Sequence, residues 1–149
     1  MENIEFCNMT LQEFEQIENI LISDFDDFWS PAILKSELIG DNRKYIVAKK
    51  QNEIIGFVGV MINFKEAEIM NIVTKKSQRS KGIGKALLNE IIKFLQMKKI
   101  EKIFLEVNEN NDIARKFYSK MGFEEIGIRP NYYSGNEKGI IMSKNINNL

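Results

Sequence analysis

Histidine is absent from the 149 residues. That removes Ser-His and Cys-His nucleophile pairs, imidazole general bases and histidine-ligated metals. Cysteine is nearly absent as well. Cys7 stands alone, so neither an internal disulfide nor a thiolate zinc site can form, and it is expected to be a small buried hydrophobe. So few cysteines fit a reducing compartment. No Pro/Gly/Ser linker, internal repeat or low-complexity tract divides the chain, so residues 1–149 read as one domain. The start carries no basic stretch followed by an apolar one, as a secretory signal would. No apolar run approaches the roughly 18 residues of a membrane span; the best, residues 54–62, is half that. These absences point to a cytoplasmic protein with no metal and no membrane partner. Nothing in the sequence sets an oligomeric state.

Net charge is missing too, since 21 Lys+Arg balance 21 Asp+Glu. A nucleic-acid partner would call for surplus base to replace counterions, so none is expected. The balance is uneven along the chain. Residues 1–42 hold ten acids and one base, Lys35, whereas residues 43–149 hold eleven acids and twenty bases. The two parts are suited to different partners.

What is present reads as mixed α and β throughout. Ile4 and Phe6 suggest a first strand. Thr10 followed by Glu13 forms a capping box, and Leu11, Phe14, Ile17 and Leu21 give one helix an apolar stripe. Ser30-Pro31 opens a second helix, which Gly40 could end. Strands are expected at residues 45–48, 54–62 and 66–74, the middle one apolar enough to be covered on both faces. A helix follows from about Ile83, with Ile83, Leu87, Leu88, Ile91, Ile92 and Leu95 inward. Next come a strand at 103–107, a short helix at 111–121 with Ile113 and Phe117 inward, and strands at 123–128 and 139–142. The order βααβββαβαββ implies one mixed α/β sheet with helices on both faces.

The most informative stretch runs from Ile72 to Ala86. A strand (Ile72, Val73, Thr74) leads through a basic loop into Arg79-Ser80-Lys81-Gly82-Ile83-Gly84-Lys85 and then a helix. Glycines there let an anion approach backbone N–H groups, and the helix N-terminus and lysines add positive charge. From Ile72 to Lys102 there are nine bases and two acids. Ala86 follows Gly84-Lys85, so a Walker loop with its Mg²⁺ hydroxyl is excluded. Leu87 stands where a dinucleotide fingerprint needs its third glycine. The motif instead fits Arg-x-x-Gly-x-Gly, suited to a phosphate or diphosphate, with a plain strand–helix turn carrying solvated lysines as the alternative.

That loop, between a strand and an apolar helix, resembles the diphosphate loop of the GNAT superfamily of N-acetyltransferases. Their fold is a mixed, mostly antiparallel sheet split into a V, and their co-substrate is acetyl-CoA. Phe28-Trp29-Ser30-Pro31, Asn71-Ile72, Leu105-Glu106-Val107, Asn111…Ala114…Phe117-Tyr118, Gly122-Phe123 and Arg129…Asn131-Tyr132-Tyr133 follow in order. As a set they resemble the branch that acetylates the N-terminal alanine of a small-subunit ribosomal protein. Asn108 departs from the arginine usual there, and Ile72-Val73-Thr74 from Ile-Ala-Val.

The resemblance implies direct attack of an amine on the thioester, with Glu106 as base and Tyr118 as the acid for the departing thiolate. Glu68 is the alternative base. It implies a cofactor site at Ile72, Val73, Thr74 and Arg79 through Lys85, with Asn111 on the pantetheine arm. Trp29, Tyr132 and Tyr133 would hold the acceptor, although Trp29 would serve equally as a core residue and the tyrosines as exposed loop aromatics. An α-amine, with a pKa near 8 against roughly 10.4 for lysine, is deprotonated about 3 kcal/mol more cheaply. The acidic first part, with Asp24, Asp26 and Asp27, is expected to attract a cationic protein N-terminus. Two other readings remain open: acetylation of a small-molecule amine, lysine or polyamine, and a CoA-binding module without catalysis.

Overall fold

A computed structural model describes residues 3–133 and 137–147; the side chains of 131–133 lie outside that description. Seven strands form one sheet: β1 (Glu5–Asn8), β2 (Arg43–Lys50), β3 (Glu53–Asn63), β4 (Glu66–Thr74), β5 (Lys102–Asn108), β6 (Glu124–Tyr133) and β7 (Glu137–Asn145). Their spatial order is β1-β2-β3-β4-β5-β7-β6. Every neighbouring pair is antiparallel except β4 and β5, which are parallel. Five helical segments cover the faces: α1 (Leu11–Ile17), α2 (Leu21–Asp24), α3 (Pro31–Leu38), α4 (Ile83–Met97) and α5 (Asp112–Lys120). The mixed α/β class and mostly antiparallel sheet agree with the sequence reading. None of these helices is long and apolar enough to cross a membrane.

The apolar periodicities account for two cores, one on each face. All six expected α4 residues are buried, and with Ile103, Leu105 and Val107 of β5 they build the larger core. Phe14, Ile17, Leu21 and Leu34 from the first three helices, with Phe25 just after α2, meet Tyr45, Val47, Phe57 and Val73 in the smaller one. β3 lies between them, buried from residue 54 to residue 60. The capping box at Thr10 and Glu13 forms as expected, and Ser30 caps α3 with Pro31 in its first turn.

Three expectations change. The first helix is broken by a 3₁₀ turn at Glu18–Ile20, after which Leu21 and Phe25 still reach the same core. Ile113 is 85% exposed rather than inward, because it sits in the first turn of α5, outside the face carrying Ala114, Phe117 and Tyr118. Cys7 is exposed, not buried. β1 is an edge strand, and Phe6, not Cys7, packs on the larger core.

Two irregularities shape the centre of the sheet. β4 pairs with β5 only over Glu66–Glu68 against Lys102–Phe104, yet β4 runs on to Thr74 and β5 to Asn108. The sheet therefore splits there, as the resemblance implies. β4 also carries a bulge, since Gly59 pairs with Asn71 while Val60 pairs with Ile69, leaving Met70 as the extra residue.

Candidate active site

The split and the loop before α4 together make a groove of about 670 Å³. Ile72 and Thr74 of β4 form its floor, Gln78, Arg79 and Ser80 one wall, and Ala114, Phe117 and Tyr118 of α5 the other. Gly82, Ile83, Gly84 and Lys85 place the start of α4 at its end. Thr10, Ser30 and Asn111 cap their helices with side-chain bonds, but α4 begins at Gly82 with none. The N–H groups of its first turn are thus left for an external acceptor. Gly82 has φ 80°, and a Cβ there would meet nothing within 4 Å. Ser80 is also left-handed, with φ 63°. A diphosphate fits this combination of uncapped N–H groups, open space and the neighbouring Arg79 and Lys85.

Most of the loop residues expected to bind a cofactor do line this groove. Val73 does not: its side chain is 1% exposed and packs in the smaller core, so only its backbone is on offer. Lys81 is exposed and is not among the lining residues described. Asn111 lines the groove as the cap residue before α5, which starts one residue later than the helix expected at 111–121. Its Oδ1 accepts from Ala114 N at 3.1 Å, so Nδ2 is the group it can offer. Five residues not foreseen as site residues also line the groove: Ile113, Ala114 and Phe117 of α5, and Asp26 and Gln78. Asp26 approaches from the α2–α3 connection and pairs with Arg79, 2.6 Å to Nε. Gln78 Oε1 is buried without a hydrogen-bond partner among the described residues. The clustered Asp24, Asp26 and Asp27 were a visible signal for Asp26; nothing in the pattern marked Gln78.

Tyr118 packs edge-on against Phe117 and Phe123, at 5.1 and 5.5 Å between ring centroids. Burial pushes its phenol up to about 12. It therefore stays protonated at neutral pH, with an O–H that can donate a hydrogen bond.

Glu106 lies in a second groove of about 260 Å³, beside Glu66, Glu68 and Arg129. Along β5, Leu105 and Val107 belong to the α4 core, so Glu106 points to the opposite face. Arg129 donates to its Oε1 at 2.6 Å. Oε2 is buried with no hydrogen-bond partner among the described residues. Burial raises the Glu68 carboxyl, the Glu106 charge raises it further, and Arg129 and Arg43 oppose the shift. Glu106 and Glu68 thus share one groove, while Tyr118 lines the other. Trp29 is half-buried and lines neither among the described residues. The side chains of Tyr132 and Tyr133 lie outside the described residues; their backbone continues β6 rather than forming a loop. Asn108 closes the turn after β5, where its Oδ1 accepts from Asn110 N at 2.9 Å.

Residues 12–123 match the model of the acetyltransferase (GNAT) family. The chain is 33% identical over 150 residues to the ribosomal protein bS18-alanine N-acetyltransferase of Haemophilus influenzae, covering 96% of each. It is 30% identical over 112 residues to the N-alpha-acetyltransferase RimI of Mycobacterium tuberculosis, covering 72% of this chain and 69% of that one. The crystal structure of the ribosomal-protein-S18-alanine N-acetyltransferase from Escherichia coli superposes with a TM-score of 0.87 at 25% identity, covering 99% of this chain and 96% of that one.

Proposed function

The chain belongs to the acetyltransferase (GNAT) family, whose members take acetyl from acetyl-CoA, and from that premise we propose that it acetylates the N-terminal α-amine of a protein, the alanine of a ribosomal protein foremost. The observation that carries this reading is a pair of grooves along the separating strands, one lined by Ile72 and Thr74 of β4, the other by Glu68 of β4 and Glu106 of β5. One is basic, with an uncapped helix start suited to a diphosphate; the other is acidic and suited to an amine.

The acceptor enters by the acidic groove as an ammonium and must lose a proton before it attacks. Glu106, with one oxygen held by Arg129 and the other unbonded, takes that proton, directly or through water. The amine nitrogen bonds to the acetyl carbonyl carbon, the carbon–sulfur bond breaks, and the electron pair leaves on sulfur. Tyr118 donates a hydrogen bond, and finally a proton, to that thiolate, and the second proton that the nitrogen sheds on becoming an amide restores the phenol. No covalent enzyme intermediate is required, which suits a chain without histidine and with its one cysteine on an edge strand. Arg79, Ser80, Gly82, Ile83, Gly84 and Lys85 hold the diphosphate, and Ile72, Thr74 and Asn111 the pantetheine arm.

The test is thiol release from acetyl-CoA over a panel of acceptors. The panel comprises peptides differing in their first residues, the same peptides N-blocked but carrying lysine, and free polyamines. Turnover is expected on free alanine N-termini and should fall about 10²–10⁴-fold in Glu106→Gln. Equal activity on N-blocked, lysine-bearing peptides, or a Glu106→Gln variant with the wild-type rate, would overturn the assignment.

A further inference from the structure

Three side-chain acceptors are buried without a partner among the described residues: Asn71 Oδ1, Gln78 Oε1 and Glu106 Oε2. A buried acceptor left unbonded is costly, and such atoms are rare enough to need a reason. Gln78 belongs to the cofactor groove. Asn71 and Glu106 stand on the two strands that separate, Asn71 on β4 and Glu106 on β5. Both point to the sheet face opposite α4. For Glu106 this follows from its alternation with Leu105 and Val107. For Asn71 it follows from its bond to Tyr45, a residue of the smaller core.

Several features converge on the orientation of Asn71. Without the bulge at Met70, strict alternation would put Asn71 on the same face as Ile69, inside the α4 core. The extra residue turns it to the other face. Tyr45, Gly59 and Asn71 lie directly opposite one another across β2, β3 and β4. A Cβ on Gly59 would stand 2.1 Å from the Tyr45 ring, so only glycine lets the ring cross β3 to reach Asn71. At the far end Glu37 Oε1 accepts from Tyr45 Oη at 3.1 Å and from Arg43 Nε at 3.0 Å. A carboxylate can only accept, so the single phenol proton goes to Glu37. The phenol oxygen must then accept from Asn71, whose Nδ2 lies 3.4 Å away. The amide is thereby fixed with Oδ1 turned away from Tyr45. Arg43, Met61 and Glu68 face one another across the same three strands, one same-face step along from Tyr45, Gly59 and Asn71, and Met61 and Glu68 line the acidic groove, which sets the Glu37–Tyr45–Asn71 chain beside it.

We infer that Asn71 Oδ1 is the second acceptor for the attacking amine: it takes one N–H while Glu106 takes the proton that leaves. Two acceptors on opposite arms of the split fix the nitrogen lone pair toward the thioester, and Tyr45 and Glu37 are positioning residues that hold Asn71 in that state. The inference deepens the proposed function and rests on it.

The experiment uses acetyl-CoA and whichever amine of the panel above the wild type acetylates fastest, so it does not depend on that amine being an N-terminus. Asn71→Leu is expected to raise KM for the amine about tenfold, with the Kd for acetyl-CoA within twofold of wild type. Tyr45→Phe should raise KM by less, and should add nothing in the Asn71→Leu background. An unchanged amine KM in Asn71→Leu overturns the inference, as does an equal loss of acetyl-CoA affinity, which marks a structural role. Should Asn71→Leu fail to fold, Tyr45→Phe decides alone, and a wild-type KM there is fatal. A wild type that acetylates no amine removes the proposed function and this inference together.

Discussion

Glu68 is a carboxyl held in an unfavourable state, half-buried and beside the Glu106 carboxylate. Its folded pKa is raised above the unfolded one, so folding favours its protonated form. The stability it contributes is complete below the unfolded value near 4.3 and is lost as pH rises through the folded value. Glu68→Gln removes the ionised form and should raise Tm at pH 7 to 8. The gain should shrink to nothing near pH 4, as thermal melts across that range would show. A difference independent of pH, or a lower Tm at pH 7, would show that the carboxylate is adequately paired there. The resemblance offered Glu106 as the base, and Glu68, leading into the expected cofactor strand, was its rival. The sequence could not show that they share a groove, since that depends on where β4 and β5 part. The direction of Asn71 was equally hidden, because alternation gives the wrong face until the bulge at Met70 is known.

At the scale of the element, α4 was the most legible part of the chain. Its six inward residues recur at helical spacing along a fifteen-residue helix, and no competing pattern blurs them. The break at Glu18–Ile20 and the extension of β6 to Tyr133 were not legible, because neither is marked by glycine, and Pro130 lies within an edge strand that tolerates it. The α4 start also sets stability against binding. Gly84 lies in the first turn, and a Cβ there would meet only the tip of the Phe117 ring at 3.7 Å. Alanine is the better helix former by about 0.5–1 kcal/mol, so Gly84→Ala should raise Tm by a few degrees. The added methyl stands in the groove, so acetyl-CoA should bind more weakly. Gly82→Ala puts a side chain into a left-handed backbone and costs about 1–2 kcal/mol, so it should weaken binding and lower Tm. Opposite Tm shifts with the same direction in Kd would separate the helix's own stability from its use. A Gly84→Ala variant with unaltered acetyl-CoA affinity would place the diphosphate elsewhere.

Over the whole molecule, the net acidic first 42 residues and the net basic remainder were plain in the sequence. How they meet was not, because it rests on a contact between residues 53 positions apart. Asp26 does not stand ready for a cationic peptide; it reaches into the cofactor groove and holds Arg79. The chain leading into it is fixed as well, by Asp26 N donating to Thr74 O at 2.9 Å and by Phe25, fully buried. The ion pair itself is partly exposed, with Arg79 58% and Asp26 33% accessible. Such pairs are worth about 0–1 kcal/mol, so Asp26→Asn should leave Tm nearly unchanged. Its effect on an anionic co-substrate should be larger. Under the proposed assignment the aspartate places a negative charge where the phosphates would come and occupies the guanidinium they would use. Asp26→Asn removes both obstacles, so acetyl-CoA should bind several-fold more tightly at low ionic strength. At about 0.5 M salt, where the screening length is only a few ångströms, the two proteins should converge. Titration calorimetry over a salt series reads this directly. Weaker binding by Asp26→Asn at low salt would mean that Asp26 aims Arg79 at the phosphates, and that the acidic segment supports the basic loop instead of competing with it.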